Sequence, residues 1–168
     1  MKKIVLVLLV ISLVFFTSCS TEPINNASFQ ETWKLTEWSV GISMDLNKDM
    51  VSSTNLLDEI DCENNETLVF DNQGTVVSNL TFNPKVDISL INASTNAYDF
   101  FVECDREGVL SSASSYTKNN NTIIINNSVF NIDNNELTVV FENAVDIYNE
   151  DFTAVVATKD LTLVYTKI

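Results

Sequence analysis

From Glu66 to the C-terminus the chain is cut into short stretches of alternating apolar residues by Asn-, Asp- and Gly-rich turns. Alternation with a period of two turns one face of each stretch inward, the pattern of antiparallel strands joined by tight connections. Leu68 and Phe70 alternate before the turn Asp71-Asn72-Gln73-Gly74, and Val76, Leu80 and Phe82 resume the pattern up to Asn83-Pro84, which predicts a hairpin. Further strands are expected around Val86, Ile88 and Leu90, over Tyr98–Cys104 and over the small-residue stretch Val109–Thr117. Three more follow at Thr122–Ile125, Val129–Ile132 and Glu136–Phe141, separated by Asn126-Asn127 and Asn134-Asn135, which tolerate the positive φ of tight turns. The last expected strand, Asp160–Lys167, carries Leu161, Leu163 and Tyr165 on one face. No long helical period separates these segments, so the class is all-β, an antiparallel meander closed as a barrel or stacked as a sandwich.

Order is expected to begin near Gln30. Trp33 and Leu35 share one parity, whereas Trp38, Val40 and Ile42 share the other. A strand that keeps both sets inward needs a bulge near Thr36 and Glu37. Residues Asp45–Ile60 break the alternation. Ser53, Thr54 and Asn55 are available helix caps there, and Leu56, Leu57 and Ile60 fall on one helical face, which predicts a short helix across one end of a barrel.

The N-terminal segment bears on location. Lys2-Lys3 followed by the apolar run Ile4–Phe16 has the layout of an export signal. Phe16-Thr17-Ser18-Cys19 resembles the lipobox of bacterial lipoproteins. That resemblance implies cleavage before Cys19, a diacylglyceryl group on its thiol and an acyl chain such as palmitate on its amine. An ordinary signal peptide and an uncleaved anchor are the alternatives, the anchor being the weaker because the run is shorter than the roughly 20 apolar residues that span a bilayer. The chain then divides into a signal peptide (1–18), a lipidated cysteine with a polar tether (19–28) and one domain (29–168). The expected location is the bacterial outer membrane, held through lipid, on its periplasmic or cell-surface face.

Removing residues 1–18 from 168 leaves 150 residues, enough for one domain with a core. The 9 basic residues lose Lys2 and Lys3, so 7 stand against 23 acidic ones, a net charge of −16. Such a chain repels phosphate backbones and anionic headgroups, which excludes nucleic acid as a partner and favours cations. Ten Phe, four Tyr and two Trp provide ample surface to bury.

With Cys19 committed to lipid, Cys62 and Cys104 remain as a pair in an oxidising compartment. Bridging them closes a loop of about forty residues, the alternative being two buried thiols. Asp45-Leu46-Asn47-Lys48-Asp49 places oxygen side chains at positions 1, 3 and 5 of a loop, with the carbonyl of Val51 at position 7, the spacing with which calcium loops wrap a hard cation. Met50 stands where such loops carry glycine and Leu56 where they carry a bidentate acid, so an acidic solvated turn is the competing interpretation. A metal here is expected to be structural, and no other cofactor is expected. The chain has no histidine and only three glycines, which removes imidazole-based catalysis and phosphate-cradling loops. No spacing singles out a catalytic pair of carboxylates, and the chain is not expected to be an enzyme.

A tryptophan early in the first strand, in Glu31-Thr32-Trp33-Lys34-Leu35, followed by a short helix and a run of hairpins, resembles the lipocalin-like domains of small bacterial lipoproteins. The resemblance covers residues 29–168 and implies a barrel of about eight strands with an apolar interior. Trp33, Trp38, Phe70, Phe82, Phe141 and Tyr165 are the candidate pocket residues, plain core packing being the alternative for the two tryptophans. The implied function is binding or carriage of a small apolar or amphipathic ligand. The alternative is an envelope or surface interaction module whose acidic face meets a protein or glycan partner.

Overall fold

The computed structural model describes residues 29–104 and 110–168. The expected signal peptide, lipidation site and tether, and Val109 at the head of one expected strand, lie outside the described residues.

The chain forms a closed antiparallel β-barrel. Its first strand, β1 (Glu31–Met44), bends where the parity of the sequence changes. Its pairing with the last strand shifts register between Leu35 and Glu37, so that Trp33 and Leu35 below the bulge and Trp38, Val40, Ile42 and Met44 above it are all buried. A short strand β2 (Ser53–Asn55) returns against β1 and leads into α1 (Leu56–Glu59). Asn55 joins these pieces. Its Oδ1 accepts the amides of Trp38 and Leu57, at 3.0 and 3.2 Å, while its Nδ2 donates to the Thr36 carbonyl at 3.0 Å. One side chain thus caps the helix and satisfies main-chain groups that the bulge leaves open. The helix is a single turn. Ile60, expected on its face, is already extended at φ −133°, whereas Leu56 is completely buried.

The barrel continues through β3 (Thr67–Phe70) and β4 (Thr75–Leu80), joined by the expected turn with Gly74 at φ 88°. The hairpin of β5 (Pro84–Asn92) and β6 (Ala97–Cys104) is inserted before β7 (Leu110–Asn119), which pairs with β4. The chain then passes through β8 (Thr122–Ile125), β9 (Ser128–Asp133), β10 (Glu136–Asn149) and β11 (Val155–Lys167). Asn126 and Asn127 take φ 48° and 71° in the β8–β9 turn, and Asn134 takes φ 53° in the β9–β10 turn. Pairing of β11 with both β10 and β1 closes eight strands in the order β1-β3-β4-β7-β8-β9-β10-β11.

The inserted hairpin departs from a simple meander. The lower part of β10 pairs with β9 at Glu136–Val139, whereas its upper part, Ile147–Asn149, pairs in parallel with Ile88–Leu90 of β5. Ile88 and Ile147 meet there, and both are fully buried. A Cys62–Cys104 disulfide, with Cα atoms 5.5 Å apart, ties the end of β6 to the segment before β3.

The barrel interior is filled at one end. Phe29, Phe70 and Tyr116 meet there, with Phe70 edge-on to Phe29 and Tyr116 at centroid distances of 5.1 and 5.0 Å. The Tyr116 hydroxyl is directed at the Asp71 carbonyl (2.7 Å) and the Phe29 carbonyl (3.3 Å), so its polar end is satisfied inside the plug. The Lys118 ammonium lies 4.8 Å over the Phe29 ring, and Lys167 pairs with Glu31 at 2.5 Å.

Candidate functional site

The opposite half of the barrel holds space. Inward positions on β4 and β7 are small there, Ser78 on one strand and Ser112 and Ser114 on the other, and these border a cavity of about 220 Å³. Leu68, Val76, Phe130, Phe141 and Leu163 form its apolar walls. A second cavity of about 190 Å³ abuts the first at Glu66, Leu80 and Leu163 and extends to Leu35, Trp38, Phe82 and Leu110. A third, of about 370 Å³, shares Trp38, Phe82 and Asn83 with the second and lies along the seam between β5 and β10. The rim where the first two open is apolar, with Leu80 39% and Leu110 65% exposed.

Glu66 stands at the junction of the two inner cavities. It precedes β3 by one residue and lies in phase with Leu68 and Phe70, so its side chain faces inward. Its carbonyl accepts the Leu35 amide at 3.0 Å, extending the β1–β3 ladder and fixing its backbone. The residue is only 3% exposed. Tyr165, on β11 between Leu35 and Leu137, donates its hydroxyl to Glu66 Oε1 at 2.5 Å, and the Phe82 amide faces the same carboxyl. Burial pushes the Glu66 carboxyl above the ordinary carboxylate range, with the Tyr165 hydroxyl and the Phe82 amide opposing part of that shift. Burial and the neighbouring Glu66 hold the Tyr165 phenol well above its ordinary range.

The six aromatic candidates divide between the two halves. Trp38 and Phe82 border the second and third cavities, and Phe141 and Tyr165 border the first. Trp33 and Phe70 are packed into the filled half, 1% and 0% exposed. Trp33 Nε1 is a buried donor with no hydrogen-bond partner among the described residues.

The acidic loop Asp45–Val51 lies away from these cavities. Asp45 accepts the amides of Asp49 and Met50, Asn47 accepts that of Asp49, and Asp49 accepts that of Val51. The side-chain oxygens proposed for a cation are therefore used within the loop as amide acceptors. Lys48 and Met50 take φ 62° and 71° to permit these turns, Met50 doing so at the position where calcium loops carry glycine. Glu59, buried under the loop, accepts the amides of Leu46 and Ser53. Among the described residues no group of three or more His, Cys, Asp or Glu side chains is gathered for a metal.

Glu66 is not among the candidate site residues that the sequence singles out. The signal was present: the acid sits at the spacing i, i+2, i+4 with Leu68 and Phe70, the two inward residues of β3. An arrangement of one buried acid, one tyrosine and small hydroxyl side chains beside apolar walls can bind a small molecule and orient its polar end. No family model, curated protein or solved structure matches this chain.

Proposed function

We propose that this chain is an exported lipoprotein, anchored through Cys19 to the outer membrane on its periplasmic or cell-surface face, whose barrel binds a small amphipathic ligand. The observation that carries the proposal is the half-filled barrel: adjoining inner cavities of about 220 and 190 Å³ reach an apolar rim and share a polar point at Glu66. Ligand sites are typically concave, mostly apolar and provided with a few polar groups that set orientation. These volumes fall below the roughly 300–1,000 Å³ of drug-sized pockets, which favours a smaller ligand.

The test is native mass spectrometry of the full chain, exported, recovered in detergent and split into untreated and chelator-treated portions. A retained small-molecule mass supports carriage, and an acylated N-terminal cysteine supports the anchor. A bare polypeptide with an unmodified cysteine overturns both. Loss of a calcium mass with chelator supports an ion in the Asp45–Val51 loop, and an unchanged mass removes it.

A second function is favoured by one observation. Ile124 pairs with Val129 across β8 and β9, and both are outward and 41% and 49% exposed. An apolar outer row suits an interaction module, for which crosslinking in intact cells recovers a protein or glycan partner and native spectra contain no small molecule.

A further inference from the structure

The geometry points to Glu66 and Tyr165 as the anchor for a cationic head: the barrel takes small amines with an apolar body and rejects anions of the same shape. This deepens the carriage proposal and rests on it.

Three observations converge. A carboxylate offers about four lone-pair sites. Among the described residues the Tyr165 hydroxyl takes one of them and the Phe82 amide faces the same carboxyl, and the others are open to whatever enters the cavities that Glu66 borders. Second, among the described residues no lysine or arginine lines either cavity, and neither of the ion pairs described involves Glu66. A buried carboxyl without one is costly to ionise, which agrees with the upward displacement of its titration. An entering ammonium supplies both the missing charge and hydrogen-bond donors. Third, the rim at Leu80 and Leu110 and the wall at Leu163 are apolar, so a ligand reaching Glu66 head first buries its hydrocarbon against them. An anion in that orientation meets Glu66 in a setting that weakly screens repulsion. A fatty acid with its carboxylate inward is therefore excluded by the same residue that admits the amine.

The experiment uses the full exported chain in detergent micelles with three water-soluble probes of nearly one shape: 2-phenylethylamine, 2-phenylethanol and phenylacetate. Binding is measured by nuclear magnetic resonance shifts of Glu66, Phe82 and Tyr165 amides, with empty micelles correcting for partition. The amine is expected to bind at least tenfold more tightly than phenylacetate. Glu66→Gln should weaken the amine tenfold or more and leave the alcohol within about twofold. Leu80→Lys, at the partly exposed rim, introduces a cation beside the acid and should invert the preference in favour of phenylacetate, so the idea remains testable if Glu66→Gln fails to fold. Equal affinities for the three probes, or an amine affinity unchanged in both variants, overturn the anchor while leaving carriage intact. Failure of all three probes to bind, with no small molecule retained in native spectra, overturns carriage and the anchor together.

Discussion

Strand β7 passes both ends of the barrel and shows how differently they are finished. At one end its inward residue is Tyr116, wedged edge-on against Phe70 and beside Phe29; at the other, the same phase of the strand carries Ser114 and Ser112, which border open space. The backbone does not distinguish them, since both ends have the same antiparallel pairing to β4. Side-chain volume does. Alternation specifies which residues face inward, and the sizes of those residues decide whether a small barrel is plugged or hollow. Polar satisfaction differs as well: the plug directs the Tyr116 hydroxyl at main-chain carbonyls, whereas the hollow half buries a carboxyl that, among the described residues, accepts from one side chain, Tyr165.

The sharpest test of this contrast is a pair of truncations. Phe70→Ala, in the plug, is expected to lose about 3–5 kcal/mol by urea denaturation, and Phe141→Ala, on a cavity wall and partly exposed, less than half as much. Equal losses would break the distinction between a packed end and an open one. Next in size is the disulfide. Replacing Cys62 and Cys104 by Ser should cost about 2–4 kcal/mol. Hydrogen exchange should show protection falling first in β5 and β6, with the amides around Phe70 and Tyr116 holding longer.

The pH dependence should have opposite sign at the two ends. Asp71 accepts the amides of Thr75 and Gln73 at 2.7 and 2.8 Å, and these bonds, the one from Thr75 foremost, hold its carboxyl below the ordinary range. Its contribution is present above the unfolded value of 3.8 and disappears as pH falls through the lower folded value. Glu66 behaves in reverse. Its folded value lies above 4.5, so stability declines as pH rises from 4.5 toward that value, because the unfolded chain ionises first. Thermal melts from pH 3 to pH 8 should therefore show Asp71→Asn removing part of the acid-side loss and Glu66→Gln removing part of the loss above pH 4.5. Parallel profiles for the two variants would contradict the assignment.

The smallest expected effect comes from filling the hollow half. Ser128 borders the inner cavity with no side-chain hydrogen bond among those described, so Ser128→Val should stabilise the fold by about 0.5–1 kcal/mol while reducing ligand uptake. Stabilisation without loss of binding would mean that the ligand sits elsewhere.

Much of this architecture was legible in the residues, because a period of two is a strong signal. The change of parity between Leu35 and Trp38 marks the bulge in β1, and the Asn pairs mark the turns. The resemblance in the Trp33 segment led to the eight-stranded barrel, and the isolated cysteine pair led to the bond. Two features were not legible. The parallel docking of β5 on β10 depends on contacts between segments far apart in sequence, and no local pattern encodes which strand replaces β9 there. The extension of β10 and β11 beyond Phe141 and before Asp160 was hidden by Asn143, whose φ of 52° accompanies a register shift between Phe141 and Val145 and breaks the alternation. As for the site, aromatic residues drew attention because they are large. The residues that make the hollow half are notable for being small or acidic at inward positions, a pattern seen only once the phase of each strand is known.

The closing seam has a consequence in time. Trp33 to Ser39 pair with Thr162 to Lys167, so the first strand of the domain finds its neighbour only after the last has been made. Non-local closure of this kind slows folding, since the whole intervening chain must be ordered before the seam is satisfied. A ribosome releasing the chain from its N-terminus therefore holds an unclosed barrel until β11 has emerged, and removal of β11 leaves one side of β1 unpaired.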